Sequence, residues 1–295
     1  MMRLSVAVLF RKNITYSAAM QQVASQSIDS IQAIFLALVQ GVTEFLPISS
    51  SAHLALVPLL TSWPDQGLAF DCVVHLGSLT AVVFYFRTDL ARMASGFSVT
   101  VKQRSISADR DGYMAWMIGF ATIPVGLFGL GFKDMIETDF RSLTVIGTTS
   151  IIFGLLLWLA DSEDKNTKTD SSWNFRDVMI VGLAQAVALI PGTSRSGITM
   201  TAALMMGYGR EAAARFSFLL SIPVIILAGG IKIKDWIEQP DQAAGVVELL
   251  IGYGVSAISA YLCIHYFLKY LQRIGMGPFV IYRVLLGAIL LWMVY

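Results

Sequence analysis

The sequence predicts an all-α polytopic integral membrane protein, with six transmembrane helices plus two re-entrant helix–break–helix hairpins in an inverted repeat. Three observations predict it. Of 295 residues, 56% are hydrophobic and 14% charged, with mean hydropathy +0.67, whereas a soluble globular chain carries about 25% charged residues. The charges gather in short blocks, such as 87–111 and 161–177, between long apolar runs. Two apolar regions are interrupted by similar proline- and serine-containing breaks. A net charge of +1 argues against a nucleic-acid partner, which would demand a basic face. Cys72 and Cys263 both lie inside apolar runs, which excludes a disulfide framework and leaves them as small core residues.

The elements follow in chain order. Residues 1–30 read as an N-terminal extension, disordered or the product of a start site placed too early, with Met20 as the alternative initiator. A weak signal-peptide pattern at Met1–Phe10 has only seven apolar residues before Arg11-Lys12. The remainder, 31–295, reads as a single membrane domain. Residues 31–46 would make a helix of roughly 24 Å, short of the roughly 30 Å hydrocarbon core. Pro47 breaks it, Ile48-Ser49-Ser50-Ser51-Ala52-His53 follows, and a second short run covers 54–60. Spans are expected at 68–86, 113–131 and 143–160. A second hairpin pairs 178–190 with 198–207 around Pro191-Gly192-Thr193-Ser194-Arg195-Ser196-Gly197. Spans at 216–231, the shortest, then 246–268 and 278–295 complete the chain.

The hairpins correspond at nearly constant offsets: Gln40 with Gln185 at 145, Pro47 with Pro191 and Ser50 with Ser194 at 144, Phe70 with Phe216 at 146. A duplication of 31–160 and 178–295 follows. Each copy has an odd number of spans, so the second is inverted, and broken helices at matching places point to a site near the bilayer midplane. Loops 87–112, 161–177, 208–215 and 269–277 carry twelve Lys and Arg against four in 132–142 and 232–245. The first set is therefore cytoplasmic, and the two hairpins enter from opposite sides so that their tips can meet.

An arginine at membrane depth costs about 2.5–3.5 kcal/mol on insertion scales and needs a partner. Arg195 lies in the second break; Glu44 at the edge of the first can neutralise it, whether as a structural pair or as part of a site. Gln40 and Glu44, four apart, share a helix face. Ser49, Ser50 or Ser51 can cap the helix leaving the first tip, and Ser194 or Ser196 the helix leaving the second. Two helix N-termini and an arginine favour an anion such as phosphate. Ser50 and His53, three apart, can share a face, which makes Ser50 a candidate nucleophile with His53 or Glu44 as base. Asp71 and His75 can pair with each other or line the pocket entrance, Tyr282 and His265 read as packing or interfacial residues, and Arg283 lacks an evident partner.

The run Gln40-Gly41-Val42-Thr43-Glu44-Phe45-Leu46-Pro47-Ile48-Ser49-Ser50-Ser51-Ala52-His53 resembles the first signature of the undecaprenyl-diphosphate phosphatase (bacitracin-resistance) family. Pro191 to Gly197 resembles its second. Lesser matches are Phe70-Asp71 with His75-Leu76-Gly77-Ser78, Phe216 to Leu220, and Ile281-Tyr282-Arg283. The resemblance implies hydrolysis of undecaprenyl diphosphate to the monophosphate carrier for peptidoglycan synthesis. It also implies bacitracin resistance, the bacterial inner membrane and a site open to the periplasm. Catalytic roles are implied for Glu44, Ser50, His53 and Arg195. Gln40, Ser49, Ser51, Thr193, Ser194 and Ser196 are expected to contact substrate. The family often has glutamate where this chain has Gln40, so a divalent cation (Mg or Ca) is expected on the substrate diphosphate with Glu44 rather than between two carboxylates; no organic cofactor is expected. The partners are the polyprenyl diphosphate and membrane lipids, and Gly-rich 246–268 allows a homodimer or, equally, close packing within the chain. Direct attack by water or by His53 stays open beside attack by Ser50. The rival from another class is a secondary transporter or lipid flippase, since inverted repeats with broken helices also mark transporters.

Overall fold

Capping fixes where the first helix begins. The computed structural model describes residues 27–61, 63–132, 140, 142–161, 167–238 and 244–294; most of the expected N-terminal extension, 1–26, lies outside them. Asp29 accepts from the Gln32 N–H at 2.8 Å and the Gln32 side chain accepts from the Asp29 N–H at 3.0 Å. This reciprocal box opens α1 (Ser30–Phe45). After a four-residue break come α2 (Ser50–Leu60), α3 (Gly67–Tyr85), α4 (Arg87–Lys102), α5 (Arg110–Gly131) and α6 (Leu143–Asp161). A 3₁₀ turn, Asp170–Ser172, leads to α7 (Phe175–Val187), α8 (Arg195–Met205), α9 (Arg210–Glu238), α10 (Val246–Ile274) and α11 (Gly277–Val294).

Six of these, α3, α5, α6, α9, α10 and α11, are long and apolar enough to cross a membrane. They cover the six expected spans. The span expected at 216–231 is the middle of the 29-residue α9, which extends because its charges are matched. Arg210 donates to Asp161 at 2.6 and 3.0 Å, and Arg215 to Asp170 at 3.0 Å. A second difference lies in 87–112, expected as a loop. It holds α4, whose Met93, Gly96 and Thr100 are buried, with the Trp116 indole of α5 donating to Thr100 at 3.0 Å. A search for unbroken apolar runs passes over such a half-polar helix.

The two short helix pairs have the same local geometry at an offset of 145. Asn174 caps α7 as Asp29 caps α1. Ser49 and Ser194 each precede the second short helix in the left-handed region, at φ 72° and φ 69°. The correspondence therefore runs Ser49 to Ser194, one residue from the Ser50–Ser194 match read in the sequence. Packing repeats in parallel: α10 lies on α1 and α3, as α5 lies on α7 and α9. Helices α6 and α11 cross where a Cβ added at Gly287 would stand 2.6 Å from the Gly147 carbonyl, so only glycine allows that approach.

The two pairs differ in burial. Eight of the eleven residues of α8 are buried, Ser196 to Thr201 continuously. In α2, Ser51, Ala55 and Leu60 are exposed. The first pair is therefore the more exposed of the two.

Candidate active site

The two breaks touch. Ser196 on α8 donates its hydroxyl to the Leu46 carbonyl at 2.8 Å, and Arg195 Nη2 donates to Glu44 Oε1 at 3.2 Å. Arg195 Nη1 donates to the Ser217 carbonyl at 2.9 Å, which fixes the guanidinium from behind. The side chains of Glu44 and Arg195 are 9% and 13% exposed, so the pair is largely shielded from water.

Glu44 is the hub. Its Oε2 accepts from the Ser50 hydroxyl at 2.7 Å and from the Gln40 amide at 3.0 Å. The i, i+4 spacing of Gln40 and Glu44 brings them together as the helix period dictates. His75 on α3 points Nε2 at the same oxygen from 4.0 Å, while its Nδ1 lies 2.7 Å from the Asp71 carbonyl. Asp71 does not pair with His75 through its side chain. Its carboxylate takes the Lys232 ammonium at 3.0 Å and the Gln66 amide at 3.1 Å.

Ser50 and His53 do not meet as the sequence spacing suggested. His53 Nδ1 lies 2.7 Å from the Ser49 carbonyl, so that nitrogen carries the proton. Its Nε2 then accepts from the Tyr282 hydroxyl at 2.5 Å, the two rings stacked. With both ring nitrogens occupied, the base within reach of Ser50 is Glu44. Tyr282 is thus more than an interfacial residue.

The serines divide by role. Ser194 caps α8 by accepting from the Gly197 N–H at 3.2 Å. Ser49 stands in the cap position of α2, yet its hydroxyl contacts Ser51 at 3.3 Å and caps nothing. The N-terminus of α2 therefore lacks a side-chain cap while that of α8 has one. Left-handed serines cost about 1–3 kcal/mol each and persist where surroundings hold them. Ser49, Thr193, Ser194 and Ser196 are all buried, as is Gln40, so Ser50 and Ser51 are the accessible hydroxyls of the two breaks. Gln40 Oε1 and Thr193 Oγ1 are buried with no hydrogen-bond partner.

Among the described residues no three His, Cys, Asp or Glu side chains gather as a metal site. What the site does offer a hard cation is Glu44 and the unsatisfied Gln40 Oε1. Two oxygens suit an ion that keeps most of its shell on phosphate.

The family model for bacitracin resistance protein BacA matches residues 33–289. The chain belongs to this family. It is 54% identical over 265 residues to an undecaprenyl-diphosphatase of Thioalkalivibrio sulfidiphilus, covering 90% of this chain and 99% of that one. It is 56% identical over 264 residues to one of Teredinibacter turnerae, covering 89% and 98%. An undecaprenyl-diphosphatase 2 of Stutzerimonas stutzeri is 53% identical over 266 residues, covering 89% and 97%.

In this BacA-family chain the structure brings Glu44, Ser50, Arg195 and Gln40 into one hydrogen-bonded group and sets His53 beside it. Sequence reasoning named three neighbours without finding their contacts here. His75, Tyr282 and Arg283 come from spans distant in sequence, and the available signal was the cost of polar groups inside apolar runs.

Proposed function

We propose that the protein is a membrane phosphatase that hydrolyses undecaprenyl diphosphate to undecaprenyl phosphate and inorganic phosphate, recycling the lipid carrier for peptidoglycan synthesis and so conferring bacitracin resistance. The observation that carries the reading is the Ser50 Oγ–Glu44 Oε2 contact of 2.7 Å beside Arg195. A hydroxyl and a carboxylate at that distance are a nucleophile and its base. Transport of an anion requires neither.

In the proposed mechanism the diphosphate reaches the breaks past α2, its prenyl chain remaining in lipid. The open N-terminus of α2 and the Arg195 guanidinium hold phosphoryl oxygens and stabilise charge in the transition state. Ser50 Oγ attacks the terminal phosphorus as Glu44 takes the hydroxyl proton. The bond from phosphorus to the bridging oxygen breaks, and undecaprenyl phosphate leaves with that oxygen and with the proton Glu44 had taken, which restores the carboxylate. Water, deprotonated by Glu44, then attacks the phosphorus; the bond to Ser50 Oγ breaks, Glu44 returns the proton to Ser50, and inorganic phosphate leaves. His53, fixed by the Ser49 carbonyl and Tyr282, orders the first turn of α2. A Mg or Ca ion carried by the substrate would rest on Glu44 and Gln40 Oε1 and neutralise phosphoryl charge.

The two hairpins are read as re-entrant, in inverted halves, in the bacterial inner membrane with the site open to the periplasm. The cation-rich connections, with Arg87, Arg92, Lys102, Arg104 and Arg110 among them, support a cytoplasmic placement of the opposite face.

Replacement of Ser50 by alanine tests the reading. Phosphate release from farnesyl diphosphate by the purified protein in detergent, with no gradient present, should fall roughly a thousandfold or more, as when a nucleophile is removed. Near-wild-type release would eliminate Ser50 as the nucleophile.

A further inference from the structure

Arg283 lies midway along α11 at 1% exposure, the largest fully buried side chain described. Its guanidinium donates to the carbonyls of Gly192 at 3.0 Å and Thr193 at 2.8 Å in the second break. It also reaches the Pro47 carbonyl at 3.4 Å in the first break and the Ser150 carbonyl of α6 at 3.3 Å. The surroundings make room for it: a Cβ added at Gly197 would stand 2.6 Å from Nη1.

Among the described residues no carboxylate stands within ion-pair distance of Arg283. Glu44 is taken by Arg195, and Asp71 by Lys232. Where the two breaks meet, one positive charge is thus left over, and it is this one. Carbonyl dipoles offset a buried cation only in part, and an unmatched one costs several kcal/mol. A neutral amide would hold those carbonyls without that cost. A retained charge needs an anion, and the accessible groups for one are at the uncapped N-terminus of α2, where Ser50 is half-buried and Ser51 exposed, beyond the Pro47 peptide unit.

We propose that Arg283 is a positioning residue that supplies the uncompensated positive charge of the site, holding a diphosphate headgroup through the peptide units of both breaks. The inference rests on the phosphatase reading above for the identity of the headgroup.

The test compares wild type, Arg283→Lys and Arg283→Gln in detergent. The readouts are KM and kcat for farnesyl diphosphate and the Ki of methylenediphosphonate as competitor. Opposite charges roughly 8 Å apart at an effective dielectric of about 20 attract by about 2 kcal/mol, roughly 30-fold in affinity. Arg283→Gln should therefore raise KM and Ki roughly 30-fold, and Arg283→Lys should restore both to within about threefold of wild type. Unchanged KM and Ki in a folded Arg283→Gln protein would overturn the inference. So would Arg283→Lys behaving like Arg283→Gln, the signature of a pure hydrogen-bonding pin. Should Arg283→Gln not fold, the lysine variant decides alone, a Ki raised more than about tenfold counting against the charge role. Failure of the wild type to hydrolyse farnesyl diphosphate would remove the phosphatase reading instead. Methylenediphosphonate binding by the three proteins would still test Arg283.

Discussion

The Glu44–Arg195 pair permits a prediction whose size follows from its burial. Both side chains are about nine-tenths enclosed, and their contact at 3.2 Å joins the two breaks. Removing one partner of a buried pair strands the other charge and costs about 3–5 kcal/mol, whereas replacing both with uncharged groups is often nearly neutral. Glu44→Gln and Arg195→Met should each lower the melting temperature in detergent, by about 6–12 °C for a loss of about 3 kcal/mol at 2–4 °C per kcal/mol. The double variant should recover most of that loss, to within about 1 kcal/mol of wild type. Activity should behave differently. All three variants should lose phosphate release from farnesyl diphosphate by a factor of about 100 or more, because each lacks the base, the clamp, or both. The assay is a thermal melt by intrinsic fluorescence run beside turnover on the same preparations. A double variant as unstable as the sum of the singles would refute the reasoning, since the two charges would then be neutralised separately.

Two further predictions concern neighbouring groups. Tyr282→Phe removes the hydroxyl that donates to His53 Nε2 but keeps the ring stack, so kcat/KM should fall roughly fivefold, the worth of one neutral hydrogen bond. His53→Gln should cost more, and the double variant no more than His53→Gln; multiplicative losses would mean that the two residues act separately. In the 3₁₀ turn before α7, burial pushes the Asp170 carboxyl up despite the Arg215 guanidinium beside it. A raised folded-state value means a contribution to stability that is present at acid pH and lost as pH rises through the folded value. Asp170→Asn should therefore gain melting temperature relative to wild type as pH rises above about 4, the ordinary aspartate value. A relative loss as pH rises from there would contradict it.

The six spans were legible because an apolar run of about 20 residues is a strong local signal. The meeting of the two breaks was legible for a related reason, since Arg195 at membrane depth demanded Glu44. What escaped reading was lateral. His53 has the right spacing to serve Ser50, and only the position of α11, which brings Tyr282 to its far side, shows that it turns away. Helix α4 escaped because its half-polar face against α5 resembles a loop when only apolar runs are counted. Arg283 was visible as a charge out of place. Its partners were invisible, because they are backbone carbonyls of residues about 90 and 236 positions away, and carbonyls have no sequence signature.

The offset of 145 explains why one local design yields two chemistries. In each pair a left-handed serine, Ser49 or Ser194, ends the break and throws the next side chain toward the junction. That next residue opens the helix: Ser50 in α2 and Arg195 in α8. A nucleophile and a clamp thus occupy equivalent positions, and both reach the same carboxylate, at 2.7 and 3.2 Å. The position equivalent to Glu44 in the second pair is Leu189, so one hub serves both arms. A second carboxylate there would face Arg195 from its own side and compete with Glu44 for the charge that joins the halves. The two breaks had to diverge for the pocket to be neutral between Glu44 and Arg195 and still positive overall, and Arg283, bound to both, is where that remaining charge resides.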